Sequence, residues 1–89
     1  MAYWIKSDLT IEAVEPKNGS DFSLEELQKF VGGTIELITL RRGYMVINDC
    51  GKLDRLPTNV VATLMYKYNV FQNDYICGDV LLCRQTEIE

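Results

Sequence analysis

Residues 51–82, GKLDRLPTNVVATLMYKYNVFQNDYICGDVLL, limit the possible folds more than any other stretch. Pro57 marks where a helix can begin, because its ring presets φ and a first helical turn tolerates its missing N–H. Thr58 or Asn59 can cap that helix. Val61, Leu64, Met65 and Tyr68 then recur at i, i+3, i+4 and i+7, which predicts one apolar helix face with Ala62, Thr63 and Tyr66 toward the other side. Asn69–Asp74 reads as a loop, and Tyr75–Cys83 as a closing strand. On that strand Ile76, Val80 and Leu82 face one side around Gly78, while Cys77, Asp79, Leu81 and Cys83 face the other.

The preceding half has its own punctuation. Leu9–Val14 alternates as a half-buried strand that Pro16 ends, since proline cannot donate to a ladder. Lys17-Asn18-Gly19-Ser20 is a turn. Ser23-Leu24-Glu25-Glu26 is a capping box that opens a helix, with Phe22 placed to staple against Leu27. Leu24, Leu27, Phe30 and Val31 supply its apolar face, and Gly32-Gly33 stops it. Thr34–Leu40 and Tyr44–Asn48, joined through Arg41-Arg42-Gly43, read as a β-hairpin.

The element order is therefore β-α-β-β-α-β. It predicts an α+β fold with an antiparallel sheet and two helices on one face, for which the split βαβ, ferredoxin-like arrangement is one option. The expected organisation is one small domain over 1–89, with residues 1–8 as an aromatic edge and 85–89 as a frayed tail. A chain of this size buries only about 60–65% of its unfolded surface, so a ligand site is expected in a shallow groove or between copies.

Charge is unevenly distributed within a net of −4. Residues 1–40 carry three Lys against seven acids (net −4), and residues 68–89 carry Arg84 against four acids (net −3). Between them Arg41, Arg42, Lys52, Arg55 and Lys67 outweigh Asp49 and Asp54 (net +3). An acidic chain repels a nucleic-acid backbone, so direct nucleic-acid binding is not expected, but the basic segment suits one small anion. The three cysteines, Cys50, Cys77 and Cys83, show no paired spacing and read as reduced thiols. With no His and no ligand-type spacing, neither a metal nor another cofactor is expected. No leader pattern and no apolar run of ~20 residues is visible, so the expected setting is cytoplasmic, with no membrane contact.

Motifs for chemistry are sparse. Gly51-Lys52 fails as a phosphate loop, because Val46 stands where the first glycine belongs and Leu53 where Ser or Thr belongs. A thiol nucleophile lacks a His, although Lys52 and Asp49 lie near Cys50 in sequence. Asp74 and Asp79 have no evident environment for acid–base work. A binding protein rather than an enzyme is the expectation. The candidate ligand-binding set is Lys52, Arg55, Asn59 and Thr63, gathered at a helix start that attracts anions, together with Asp79 on the closing strand. Tyr3 and Trp4 are the candidate interface residues of a homo-oligomer.

One pattern runs through the chain: Glu15-Pro16-Lys17, Phe22-Ser23-Leu24-Glu25-Glu26-Leu27-Gln28, Val31-Gly32-Gly33, Gly51-Lys52-Leu53, Leu56-Pro57-x-Asn59-x-x-Ala62-Thr63 and Ile76-x-Gly78-Asp79-Val80-Leu81. It resembles a family of small proteins encoded by phages and mobile elements and catalogued as a domain of unknown function. The resemblance covers about residues 11–83. It carries no activity and implies a genomic context in which small proteins block host defence. The expected partner is a small anionic, nucleotide-like ligand held by an oligomer. The alternatives are a host defence protein, bound directly or by DNA mimicry, and an accessory role in phage replication or conjugation.

Overall fold

The computed structural model describes residues 2–70 and 75–88. Five strands and two α-helices follow in the order β1 (Ala2–Ile5), β2 (Ile11–Val14), α1 (Leu24–Val31), β3 (Ile35–Leu40), β4 (Gly43–Asn48), α2 (Val60–Val70) and β5 (Val80–Cys83). The strands form one sheet in the order β2-β1-β5-β4-β3, and every neighbouring pair is antiparallel. The class is α+β, with one strand more at the front than the sequence reading placed there.

That strand is the aromatic start. Tyr3-Trp4-Ile5 pairs with β2 on one side and with β5 on the other. The strand expected from Leu9 begins only at Ile11, because Leu9 adopts φ 77 in the turn between β1 and β2. With β1 beside it, β5 is antiparallel to both neighbours, and the ferredoxin-like option, which requires parallel crossovers, does not hold.

The helices do not share a face. α1 packs Leu27 and Val31 on Ala2, Val46, Leu81 and Cys83. α2 packs Ala62 and Tyr66 on Ile5, Met45 and Val80. These strand residues alternate along β4 and β5, so the two helices cover opposite sides. Tyr44-Met45-Val46-Ile47 and Val80-Leu81-Leu82-Cys83 are apolar at every position, and a strand of that kind needs cover on both faces. A helix of 8 residues reaches only one.

Local chemistry at α1 follows the sequence closely. Ser23 Oγ accepts from Glu26 N at 3.2 Å, and Glu26 Oε1 accepts from Ser23 N at 3.0 Å. Gly32 ends the helix in the left-handed conformation at φ 80. Phe22 and Leu27 are both buried in the same cluster, as a staple requires, whereas Leu24 is exposed.

Helix α2 is rotated relative to its expected orientation. Asn59, Ala62, Thr63 and Tyr66 are buried, Val61 and Met65 are half-buried, and Leu64 is 63% exposed. The side chain of Tyr68 and residues 71–74, including most of the expected Asn69–Asp74 loop and the acid Asp74, lie outside the described residues. The closing strand is also shorter than expected, because 75–79 bonds to the segment before α2 instead of to the sheet. Asn59 N donates to Ile76 O at 2.8 Å and Gly78 N to Pro57 O at 2.7 Å. Within the tail expected to fray over 85–89, Gln85–Glu87 forms a 3₁₀ turn and Ile88 bridges to Phe22, while residue 89 lies outside the described residues.

Candidate functional site

The five residues assigned to ligand binding are not gathered at one surface. Asn59 is fully buried. Its Nδ2 donates to Ile5 O and to Gly78 O, each at 2.9 Å, and its Oδ1 accepts from Ala62 N at 3.0 Å. It caps α2 and ties the helix start to β1 and to the loop before β5. One of the helix-start amides that an anion would use, that of Ala62, is thus already bonded. Thr63 is also buried, with Oγ1 accepting from Ile76 N at 2.9 Å. Both take structural roles, and a ligand reaching either would first have to displace these bonds.

Asp79 is half-buried in a small separate pocket with Ser7, Leu56 and Pro57, where its Oδ1 accepts from Ser7 N at 2.9 Å. Arg55 is exposed in the 51–55 turn, with φ 56. Lys52 alone lines a substantial cleft.

The two interface candidates point to opposite sides of β1. Trp4 is held under α1: its Nε1 donates to Phe30 O at 3.1 Å, its ring meets the Phe30 ring edge-on at 5.2 Å, and Lys6 Nζ sits 4.1 Å from its centroid. Tyr3 is 44% exposed, opposite the exposed Ala13 on β2.

The Lys52 cleft, of about 650 Å³, opens between β3 and the turn that follows β4. Ile38, Ile47, Tyr66, Tyr75, Leu53 and Lys52 line it. Lys52 Nζ lies 4.5 Å from the Tyr75 ring centroid, within cation–π range. Glu36 and Asp49 contribute acid to the same cleft. Thr34 Oγ1 donates to Asp49, and this bond chiefly holds the Asp49 carboxyl below its ordinary value.

Gly51 shows why the Gly-Lys pair exists without a phosphate loop. A Cβ there would sit 2.7 Å from the Cys77 carbonyl oxygen, so the glycine lets the turn approach the segment before β5 and sets Lys52 at the cleft. Gly78 is required by its conformation, φ +86, and by Leu56, whose Cδ1 would lie 2.8 Å from an added Cβ.

Two of the thiols are held in the protonated form. A hydrogen bond to Asp49, and the Asp49 charge, raise the Cys50 pKa despite the nearby Lys52 in sequence. Burial, with the Glu87 charge, pushes Cys83 up to about 11. Among the described residues, no three His, Cys, Asp or Glu side chains gather as a metal-binding set, and no helix is long and apolar enough to cross a membrane.

Tyr66, Tyr75, Ile38 and Asp49 were not singled out from sequence as site residues. They come from four separate segments and form no motif. The only local signal was the pair of tyrosines flanking a loop.

Fold and cleft together define a small α+β domain with an antiparallel sheet covered on both faces and a ligand-sized cleft at one edge. The profile described as Domain of unknown function (DUF3846) matches residues 2–89, and the chain belongs to that family. No curated protein and no solved structure matches the chain.

Proposed function

We propose that this protein acts by binding, as a non-enzymatic product of a phage or mobile element that counters host defence by sequestering a small nucleotide-like signal in the Lys52 cleft. The observation that carries this reading is the cleft itself: about 650 Å³, two tyrosines, and an ammonium 4.5 Å from one ring. Drug-sized and nucleotide-sized ligands occupy cavities of roughly 300–1,000 Å³ lined by aromatic and apolar groups with a few polar anchors. An aromatic base stacks on tyrosine whatever its sequence identity. Lys52 supplies one cationic anchor, and Glu36 and Asp49 accept from amino or hydroxyl groups while opposing a highly charged polyanion. The ligand class is therefore a nucleotide of low charge. The binding site moves from the α2 start to the cleft, and of the original set it keeps Lys52.

Calorimetry with cyclic and NAD-derived nucleotides tests this. Binding should weaken at least about tenfold in Lys52→Ala and in Tyr75→Ala, since a charge-assisted contact contributes about 1.5–3 kcal/mol. Absence of heat with every nucleotide at high protein concentration refutes the sequestration reading. A second reading, direct inhibition of a host protein, draws on exposed Tyr3 and Ile11 on one side of the β1–β2 hairpin. A stoichiometric host protein captured by the wild type and lost in Tyr3→Ala would favour it.

A further inference from the structure

We propose that the outer edge of β3 pairs with the β3 edge of a second copy, about a two-fold axis at Leu37, joining two five-stranded sheets into one. The inference stands on strand geometry and does not depend on what the cleft binds.

β3 ends the sheet, and no other described strand covers its outer edge. Its register with β4 is unbroken from Ile35–Asn48 to Leu40–Gly43, so no bulge protects it. Its sequence, Ile35-Glu36-Leu37-Ile38-Thr39-Leu40, has one charge and no proline. The opposite edge is guarded differently. β2 is 4 residues long, carries Glu12 paired with Lys6 at 3.3 Å, and runs into Pro16. An edge without such guards is a template for another strand.

The register follows from the hydrogen bonds. Asp49 N donates to Thr34 O at 3.1 Å, so residues 34 and 49 are a hydrogen-bonded pair. Bonding alternates along the ladder. Residues 36, 38 and 40 therefore aim their backbone groups at β4, while Ile35, Leu37 and Thr39 aim theirs outward. Two such edges related by a two-fold axis satisfy the most groups when Leu37 faces the partner's Leu37 and Ile35 faces the partner's Thr39.

This register is complementary in charge and apolarity. Leu37, 41% exposed in one copy, meets itself. Glu36 faces the partner's Ile38 and not the partner's Glu36. Since Ile38 and Lys52 line one cleft, the partner's Glu36 arrives at the rim beside a cation. Beyond the strand, Arg41 falls opposite the partner's Gly33. That places it about two strand spacings, roughly 10 Å, from the partner's Asp49 backbone, within reach of an arginine side chain. Glu25 and Lys29 both flank the same Gly33–Thr34 corner and offset each other, so Asp49 is the acid that the basic turn of each copy meets on the other, twice per dimer.

Sedimentation equilibrium on the full chain tests the pairing. The wild type should show twice 10.2 kDa, and Leu37→Lys, which sets two ammonium groups face to face, should give 10.2 kDa with an unchanged circular-dichroism spectrum. Register is read by oxidation in a Cys50→Ser background. Leu37→Cys should cross-link, because facing Cα atoms lie about 5.5 Å apart, inside disulfide range. Thr39→Cys should not, since the two copies of residue 39 lie roughly 13 Å apart. A wild-type monomer at millimolar concentration, a dimer indifferent to Leu37→Lys, or cross-linking at residue 39 in place of 37 overturns the proposal.

Discussion

Replacing Asn59 with alanine distinguishes a structural role from a ligand-binding one. The side chain makes three bonds, donating to Ile5 O and Gly78 O and accepting from Ala62 N. Alanine takes one donor away from each of two carbonyls and leaves one helix-start amide, Ala62 N, without its cap. Each unsatisfied buried group costs about 1–3 kcal/mol, and the cap alone accounts for about 1. Local relaxation and water entry place the sum near the lower end, about 4 kcal/mol. Domains of this size are stable by roughly 5–15 kcal/mol, so the loss is a large share of the total. At 4–8 °C per kcal/mol, the midpoint of thermal unfolding should fall by about 15–30 °C. Trp4 fluorescence and circular dichroism follow the transition. Asn59→Asp keeps the shape and the capping oxygen but replaces both donors with an acceptor. It should also destabilise, less so at acid pH, where a protonated carboxyl restores one donor. A loss below about 1 kcal/mol in Asn59→Ala would show that the network contributes little. If the same variant lost ligand binding, Asn59 would return to the site.

Three further outcomes are expected. Gly51→Ala, whose methyl would press on the Cys77 carbonyl at 2.7 Å, should cost about 1–3 kcal/mol by urea titration and should disturb the cleft through Lys52. Ser23→Ala should cost about 1 kcal/mol by removing the α1 cap. Its partner Glu26 titrates below its ordinary value of 4.5, chiefly through the bond from Ser23 N and then that from Lys17 N. A depressed folded pKa gives stability that is present above 4.5 and lost as pH falls through the folded value, so the wild type should be more stable than Glu26→Gln above pH 4.5, and that difference should shrink as pH falls below it. Cys83, raised to about 11, is roughly one part in a thousand thiolate at pH 8 and should resist iodoacetamide until the protein is unfolded.

Local signals were legible wherever neighbouring residues decide the conformation. The Ser23–Glu26 box, the Gly32 stop, the Arg41-Arg42 hairpin and the apolar character of β4 and β5 depend on a few adjacent side chains and their backbone. The α+β class and the antiparallel sheet follow from those elements. The α2 face did not follow from periodicity. Asn59 and Thr63 look like surface residues in a helical pattern, but each finds buried backbone partners in segments 13 to 54 residues away and draws its face inward. Leu64, the more hydrophobic residue, is left outside.

By itself the sequence determined most of the elements, the α1 caps and the glycines that turns require, because these rest on short-range sterics and hydrogen bonding. Tertiary structure alone decided three things. It placed Tyr3-Trp4-Ile5 inside the sheet. It set the helices on opposite faces, because two central strands apolar on both sides each need two covers. It also separated Lys52 from Asn59, Thr63 and Asp79, leaving one cation at a tyrosine-lined cleft beside an open strand edge. Those outcomes depend on which distant groups compete for the same buried partners, and a linear pattern does not record that competition.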